Sequence, residues 1–170
     1  MNMKLNYRCS SCGQVHDGPP LSYNAYAPAL WYTLSEDERD HRALLSSDNC
    51  VIDRKYFFIM GNIEIPILDS QDIFIWSVWV SLSKSNYNRA KKLWLKEGRE
   101  TEVPYFGWLS TQLIVYPDTL NLKTMVHTRP VGQRPWVELE ATDHPLSIEQ
   151  RKGITRDRVI EFAEKILHDG

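Results

Sequence analysis

The sequence is short of cysteine, of charge imbalance and of long apolar runs, and each shortage closes off a class of protein. Cysteine occurs only at positions 9, 12 and 50. An odd set of three does not suit a secreted disulfide framework, and in a reducing compartment such a set points to metal binding. Lys and Arg number 20 against 22 Asp and Glu, a net charge of −2. That balance argues against a protein that coats nucleic acid, leaving at most a local basic patch. No apolar stretch approaches the roughly 18 residues that a membrane span needs. The opening MNMKLNYR also lacks the apolar centre of a signal peptide. The cytoplasm is therefore the expected location. Internal repeats and low-complexity tracts are missing, as are a phosphate-cradling glycine loop, a nucleophile elbow and an HExxH zinc helix.

What is present suits one domain over 1–170, with a zinc-knuckle segment at 1–20 and an α+β body at 21–170. Hydrophobic residues make up 42% of the 170, enough for a core. After an irregular arm rich in Pro and aromatics (17–30), SEDERDHRALL (35–45) reads as a helix. Ser35 is its N-cap and Glu38 completes a capping box. KYFFIMGNIEIPIL (55–68) reads as a strand, with Gly61 suggesting a bulge and Pro66 an edge. In IFIWSVWVSLS (73–83), Phe74, Trp76, Val78, Val80 and Leu82 share one face, with Ser77, Trp79 and Ser81 on the other. SKSNYNRAKKLWLKEG (83–98) reads as a helix ended by Gly98. Residues 104–115, 119–130 and 136–140 read as strands and 154–168 as a last helix, with Thr155 at its N-cap and Ile154 and Val159 as a staple. Consecutive strands with short loops predict an α+β fold: a mainly antiparallel sheet flanked by about three helices.

YRCSSCGQVHDG (7–18) carries the strongest chemical signal. Cys9 and Cys12 supply two thiolates from one turn, Gly13 suits the positive φ such a turn needs, and His16 follows at loop distance. That is three quarters of a tetrahedral zinc site. A redox Cys-x-x-Cys would open a helix, which GQVHDGPP cannot form. Two unliganded surface cysteines are the blander alternative. Cys50, where a loop enters a strand, is the expected fourth ligand, although before Val51 and Ile52 it reads equally as a small core residue. His41, His127 and His144 are substitutes, and a water in the fourth place would leave the site open, as a catalytic site requires.

TLNLKTMVHTRPVGQRPWVELEATDHPL (119–146) is the second informative stretch. Alternation sends Leu120, Leu122, Thr124 and Val126 to the core and Lys123, Met125, His127 and Arg129 to the other face. A turn rich in Pro and Gly then presents Arg134, with Asp143 and His144 shortly after. Together His127, Arg129, Arg134, Asp143 and His144 could hold an anionic ligand. A solvated outer face is the competing interpretation. Of the aromatics, Trp76, Trp79, Trp94 and Trp108 are expected in the core, while Tyr23, Tyr26, Trp31 and Trp136 could line a partner groove.

CSSCGQVHDGPPLS, SSDNCVID, SVWVSLS, PYFGWLS and LKTMVHTRPVGQRP with TDHPLSIEQRKGIT together resemble a bacterial domain-of-unknown-function family, number 2199, over about residues 7 to 168. The resemblance implies a shared metal site at Cys9, Cys12, His16 and Cys50 and a role beyond decoration for the HTRPVGQRP and TDHP stretches. The family carries no established activity, so the likeness supplies no mechanism. The expected function is a zinc-stabilised cytoplasmic module binding a protein or a small anionic ligand, with no membrane and no nucleic acid. The alternative is a hydrolase- or transferase-like enzyme that acts on an anionic substrate through His127, Arg129, Arg134 and His144.

Overall fold

The structure is a computed structural model that describes residues 6–169. In chain order its elements are β1 (Tyr7–Arg8), β2 (Val15–His16), β3 (Ser22–Asn24), α1 (Ala29–Tyr32), α2 (Glu36–Arg42), β4 (Ala43–Leu45), β5 (Asn49–Ile52), β6 (Tyr56–Pro66) and β7 (Ile73–Leu82). They continue with α3 (Lys84–Lys92), β8 (Tyr105–Leu109), β9 (Lys123–His127), β10 (Trp136–Leu139), α4 (Pro145–Lys152) and α5 (Arg156–Asp169).

Two long strands organise the body. β6 and β7 pair antiparallel from Phe57↔Leu82 to Pro66↔Ile73 without a break. Each then shares its other edge between two short strands. β6 gives its first half to β5 (Cys50↔Phe58) and its second half to β10 (Trp136↔Asn62). β7 gives its start to β3 and its end to β8. Antiparallel pairing runs from β6 through β7, β8 and β9 to β10. Five strands in such a meander leave the first and last pointing the same way, so the β10–β6 contact that closes the ring is parallel. The result is a closed five-stranded barrel extended by β5 and β4 on one side and β3 on the other.

The expected sheet, antiparallel and flanked by about three helices, is therefore corrected, although the α+β class holds. Five α-helices are present among the described residues, two of them short. Gly61 is not a bulge, since its register is continuous with Val78. It is the point where β10 crosses close: a Cβ there would meet Val137 Cγ2 at 2.6 Å and the Pro135 carbonyl at 3.1 Å. The capping box at Ser35 and Glu38 is present, but α2 stops at Arg42, because Ala43–Leu45 pairs with β5 instead. Asn121, at φ 65°, delays β9 to Lys123; the expected last helix is α5, and a further helix, α4, ending at Gly153, precedes it.

Alternation fills the interior. Ile63 and Ile65 of β6, Phe74, Trp76, Val78 and Val80 of β7, Val126 of β9 and Val137 of β10 point into one core. Phe162 of α5 packs on it, 5.2 Å from the rings of both Phe74 and Trp76. The other face of β6, β7 and β5 is also covered: Phe58, Met60, Trp79, Ile52 and Cys50 form a second cluster with Leu34.

Candidate metal centre

β1 and β2 form a two-residue-deep hairpin, Tyr7↔His16 and Arg8↔Val15. The turn between them is closed by its own backbone. The Gly13 amide donates to the Cys9 carbonyl and the Cys9 amide to Gln14, both at 2.8 Å. Gly13 takes φ 71°, the left-handed conformation expected after the second cysteine. This geometry brings the donor atoms of Cys9, Cys12 and His16 within 4.8 Å of one another, a group that could hold a metal ion. Cys12 Sγ lies 3.4 Å from His16 Nε2. Burial alone would push the Cys9 thiol up, but amides of Cys12 and Ser11, the His168 imidazole and the Cys12 thiol together draw it down to about 6. The downward shift favours the thiolate, the form that binds metal.

The hairpin rests on α5. Tyr7 and Cys9 pack against Ala163 and Ile160. The Ser10 amide and hydroxyl donate to the Glu164 carboxylate at 2.9 and 2.5 Å. One turn further on, His168 Nε2 sits 3.1 Å from Cys9 Sγ. Nothing in the local sequence announced His168, because a lone histidine at a helix end has no ligand spacing of its own.

Cys50 is not brought to this group. It is fully buried on β5 among Ile52, Phe58, Met60 and Trp79, and burial pushes its thiol up to about 11. That environment favours the neutral thiol, the opposite of a ligand. The substitute histidines are engaged elsewhere. His41 Nδ1 donates to the Asp37 carbonyl. His127 pairs with Glu138 at 3.2 Å and lies against the Trp136 ring. His144 caps α4, its Nδ1 accepting from the Leu146 amide while Nε2 donates to the Asp118 carbonyl.

The five residues expected to hold an anion each have a place of their own. Arg129 makes a bidentate pair with Glu64 at 2.8 and 2.7 Å. Arg134 donates to Asp48 and Asn24, both at 3.1 Å. Asp143 is exposed in the loop before α4. Of the five, only Arg129 borders the narrow cavity of about 40 Å³ beside α3. The stiff turn at 130–133 is held by a residue that the sequence did not single out. Buried Arg99 donates to the carbonyls of Arg129, Pro130 and Gln133, and to that of Trp94.

Trp76 and Trp79 are in the core, but Trp94 and Trp108 are not. Tyr105, Gly107 and Leu109 face inward on β8, which leaves Phe106 and Trp108 outside, 42% and 41% exposed. Their rings meet edge to face at 5.1 Å. Across the strands Phe106 is level with Met125 and Glu138, Trp108 with Lys123, and His127 with Trp136. An open groove of about 530 Å³ runs over this face, bordered by Phe106, Met125, Trp136 and Arg151. Of the other aromatics, Tyr23 stacks on Trp76 and Trp31 is covered by the Arg39 guanidinium at 3.7 Å.

No helix among the described residues is long and apolar enough to cross a membrane. No curated protein and no solved structure matches the chain. A family model does match, over residues 8–154, well over half of the sequence, and the chain belongs to that family: uncharacterized proteins conserved in bacteria, DUF2199.

Proposed function

We propose that this DUF2199 member is a zinc-stabilised binding module that meets a protein partner through the outer face of β8, β9 and β10. The observation that carries this reading is the aromatic face itself. Phe106 and Trp108 are fixed edge to face on a barrel strand, and Trp136 flanks them two strands away. Rigid exposed aromatics with a methionine between them match the composition of interface centres. The rim mixes signs, with Lys123 and Arg151 beside Glu138 and Glu140. Mixed charge suits a protein surface better than a polyanion. A small anion is the weaker partner, since Arg129 and Arg134 already hold carboxylates.

Zinc is the metal that the donor set favours, because two thiolates and an imidazole suit a borderline cation in a tetrahedral site. Three free thiols fit a reducing cytoplasm.

A photo-reactive side chain at position 106, used in the bacterium of origin, is expected to capture one defined protein. The purified pair should then bind at least about 10-fold more weakly when Phe106→Ala and Trp108→Ala are combined, with the melting temperature unchanged. A partner that binds the double variant as tightly as wild type would contradict this face.

A further inference from the structure

We infer that His168 is the fourth ligand of the metal at Cys9, Cys12 and His16, so that the ion ties the N-terminal hairpin to the end of the C-terminal helix. The inference rests on the metal reading above and adds to it the ligand that closes the site.

The distances fit. Zinc bonds of about 2.3 Å to sulfur and about 2.0 Å to nitrogen give a tetrahedron whose sulfur–nitrogen edges are roughly 3.5 Å. Cys12 Sγ to His16 Nε2 is 3.4 Å and Cys9 Sγ to His168 Nε2 is 3.1 Å, so each thiol already has one imidazole at close to an edge length. His168 is not within 4.8 Å of all three other donors. It must therefore swing about its own side-chain bonds to reach the ion, which an exposed residue in the last helical turn can do at little cost.

The placement is built rather than incidental. Ile160, Ala163, Glu164 and His168 follow helical spacing on one face of α5. The first two pack on Tyr7 and Cys9, and the third holds Ser10 by amide and hydroxyl. The fourth is thereby delivered to the thiol. Two thiolates and two neutral imidazoles around a divalent ion leave no net charge and no open position. Such a site is structural and cannot activate a water. The alternative ligand, Cys50, lies in a different apolar cluster.

Cobalt(II) titration of the full-length chain, read by visible absorption, separates the possibilities. Wild type should take up one cobalt with intense tetrahedral bands. His168→Ala should bind at least about 10-fold more weakly, with weakened bands as water enters, since loss of even an outer-shell partner reaches that range. His168→Cys should restore tetrahedral bands and strengthen the sulfur-to-cobalt charge-transfer absorption. Cys50→Ser should change neither affinity nor spectrum. Unaltered binding by His168→Ala, or a loss seen with Cys50→Ser instead, overturns the assignment of His168 while leaving the three-residue site standing. Failure of wild type to bind cobalt or zinc at all overturns both.

Discussion

Cys9 Sγ and His168 Nε2 stand 3.1 Å apart although 159 residues separate them in sequence. The contact brings the hairpin of β1 and β2 against the last turn of α5. A hairpin with strands of two residues cannot hold itself together in water. Its order comes from α5 beneath it, through Tyr7, Ala163 and the Ser10–Glu164 pair.

Breaking the metal group is therefore expected to loosen this corner and leave the barrel closed. Structural zinc contributes about 10 kcal/mol or more in small peptides, and less where a core already exists. Cys12→Ser should lower the melting temperature. Hydrogen exchange should quicken first in the amides of residues 7–16 and the last turn of α5, with β6 and β7 still protected. A Cys12→Ser protein that melts at the wild-type temperature would contradict a structural role.

Cys50→Ser should behave differently. The thiol is fully buried in an apolar cluster with Phe58, Met60 and Trp79. A hydroxyl there costs about 1–3 kcal/mol unless it finds a partner. Denaturant unfolding should show that loss with metal content unchanged.

Arg99 is expected to matter more than any exposed cation. Its guanidinium serves four carbonyls from a buried position, three of them in the 129–133 turn. Lysine supplies fewer donors and no planar fork. Arg99→Lys should cost about 3 kcal/mol, because several carbonyls lose a charged donor at once. Equilibrium unfolding measures this directly, and a change within about 0.5 kcal/mol, the usual range for surface substitutions, would refute it.

Gly61→Ala tests the barrel closure. The new methyl would press on Val137 and the Pro135 carbonyl, where β10 meets β6. Overpacking of this kind costs about 1–3 kcal/mol. In an open sheet β10 would not approach Gly61, so an unchanged midpoint would argue against closure.

Stability should also fall at alkaline pH. Burial pushes the Cys50 thiol from 9.0 up to about 11, and the Tyr23 and Tyr105 hydroxyls from 10.0 up to about 12, the latter helped by Glu102. In the unfolded chain these groups lose their protons first, so above pH 9 the unfolded state holds fewer protons than the native one. Stability then declines as pH rises. Their contribution is fully present below about pH 9 and is lost progressively toward pH 12. A melting temperature that stays level from pH 8 to pH 11 would contradict these shifts.

Much of the local structure was legible because its signals are local. Ser35 and Glu38 spell a capping box three residues apart, and alternation through 73–82 assigns both faces of β7. The Cys-x-x-Cys-Gly turn likewise carries its own geometry. What stayed hidden depends on partners distant in sequence. Barrel closure rests on Trp136 meeting Asn62, and no pattern within either strand reveals it. Gly61 looks the same in sequence whether it marks a bulge or a crossing strand. YFGWL is apolar throughout, so periodicity could not tell that Phe106 and Trp108 face outward. Cys50 reads alike as a ligand and as a core residue until its neighbours are known. Arg129 and Arg134 looked available because Glu64 and Asp48 lie 65 and 86 residues away.

Cys9, Cys12 and His16 form a group that could hold a metal ion, and the function proposed above has them hold zinc. Native mass spectrometry of protein purified without added metal or chelator tests it most directly. A mass excess of one zinc per chain is expected, removed by chelator together with a fall in melting temperature that added zinc reverses. A folded protein that carries no metal, and whose melting temperature is indifferent to zinc, would contradict it.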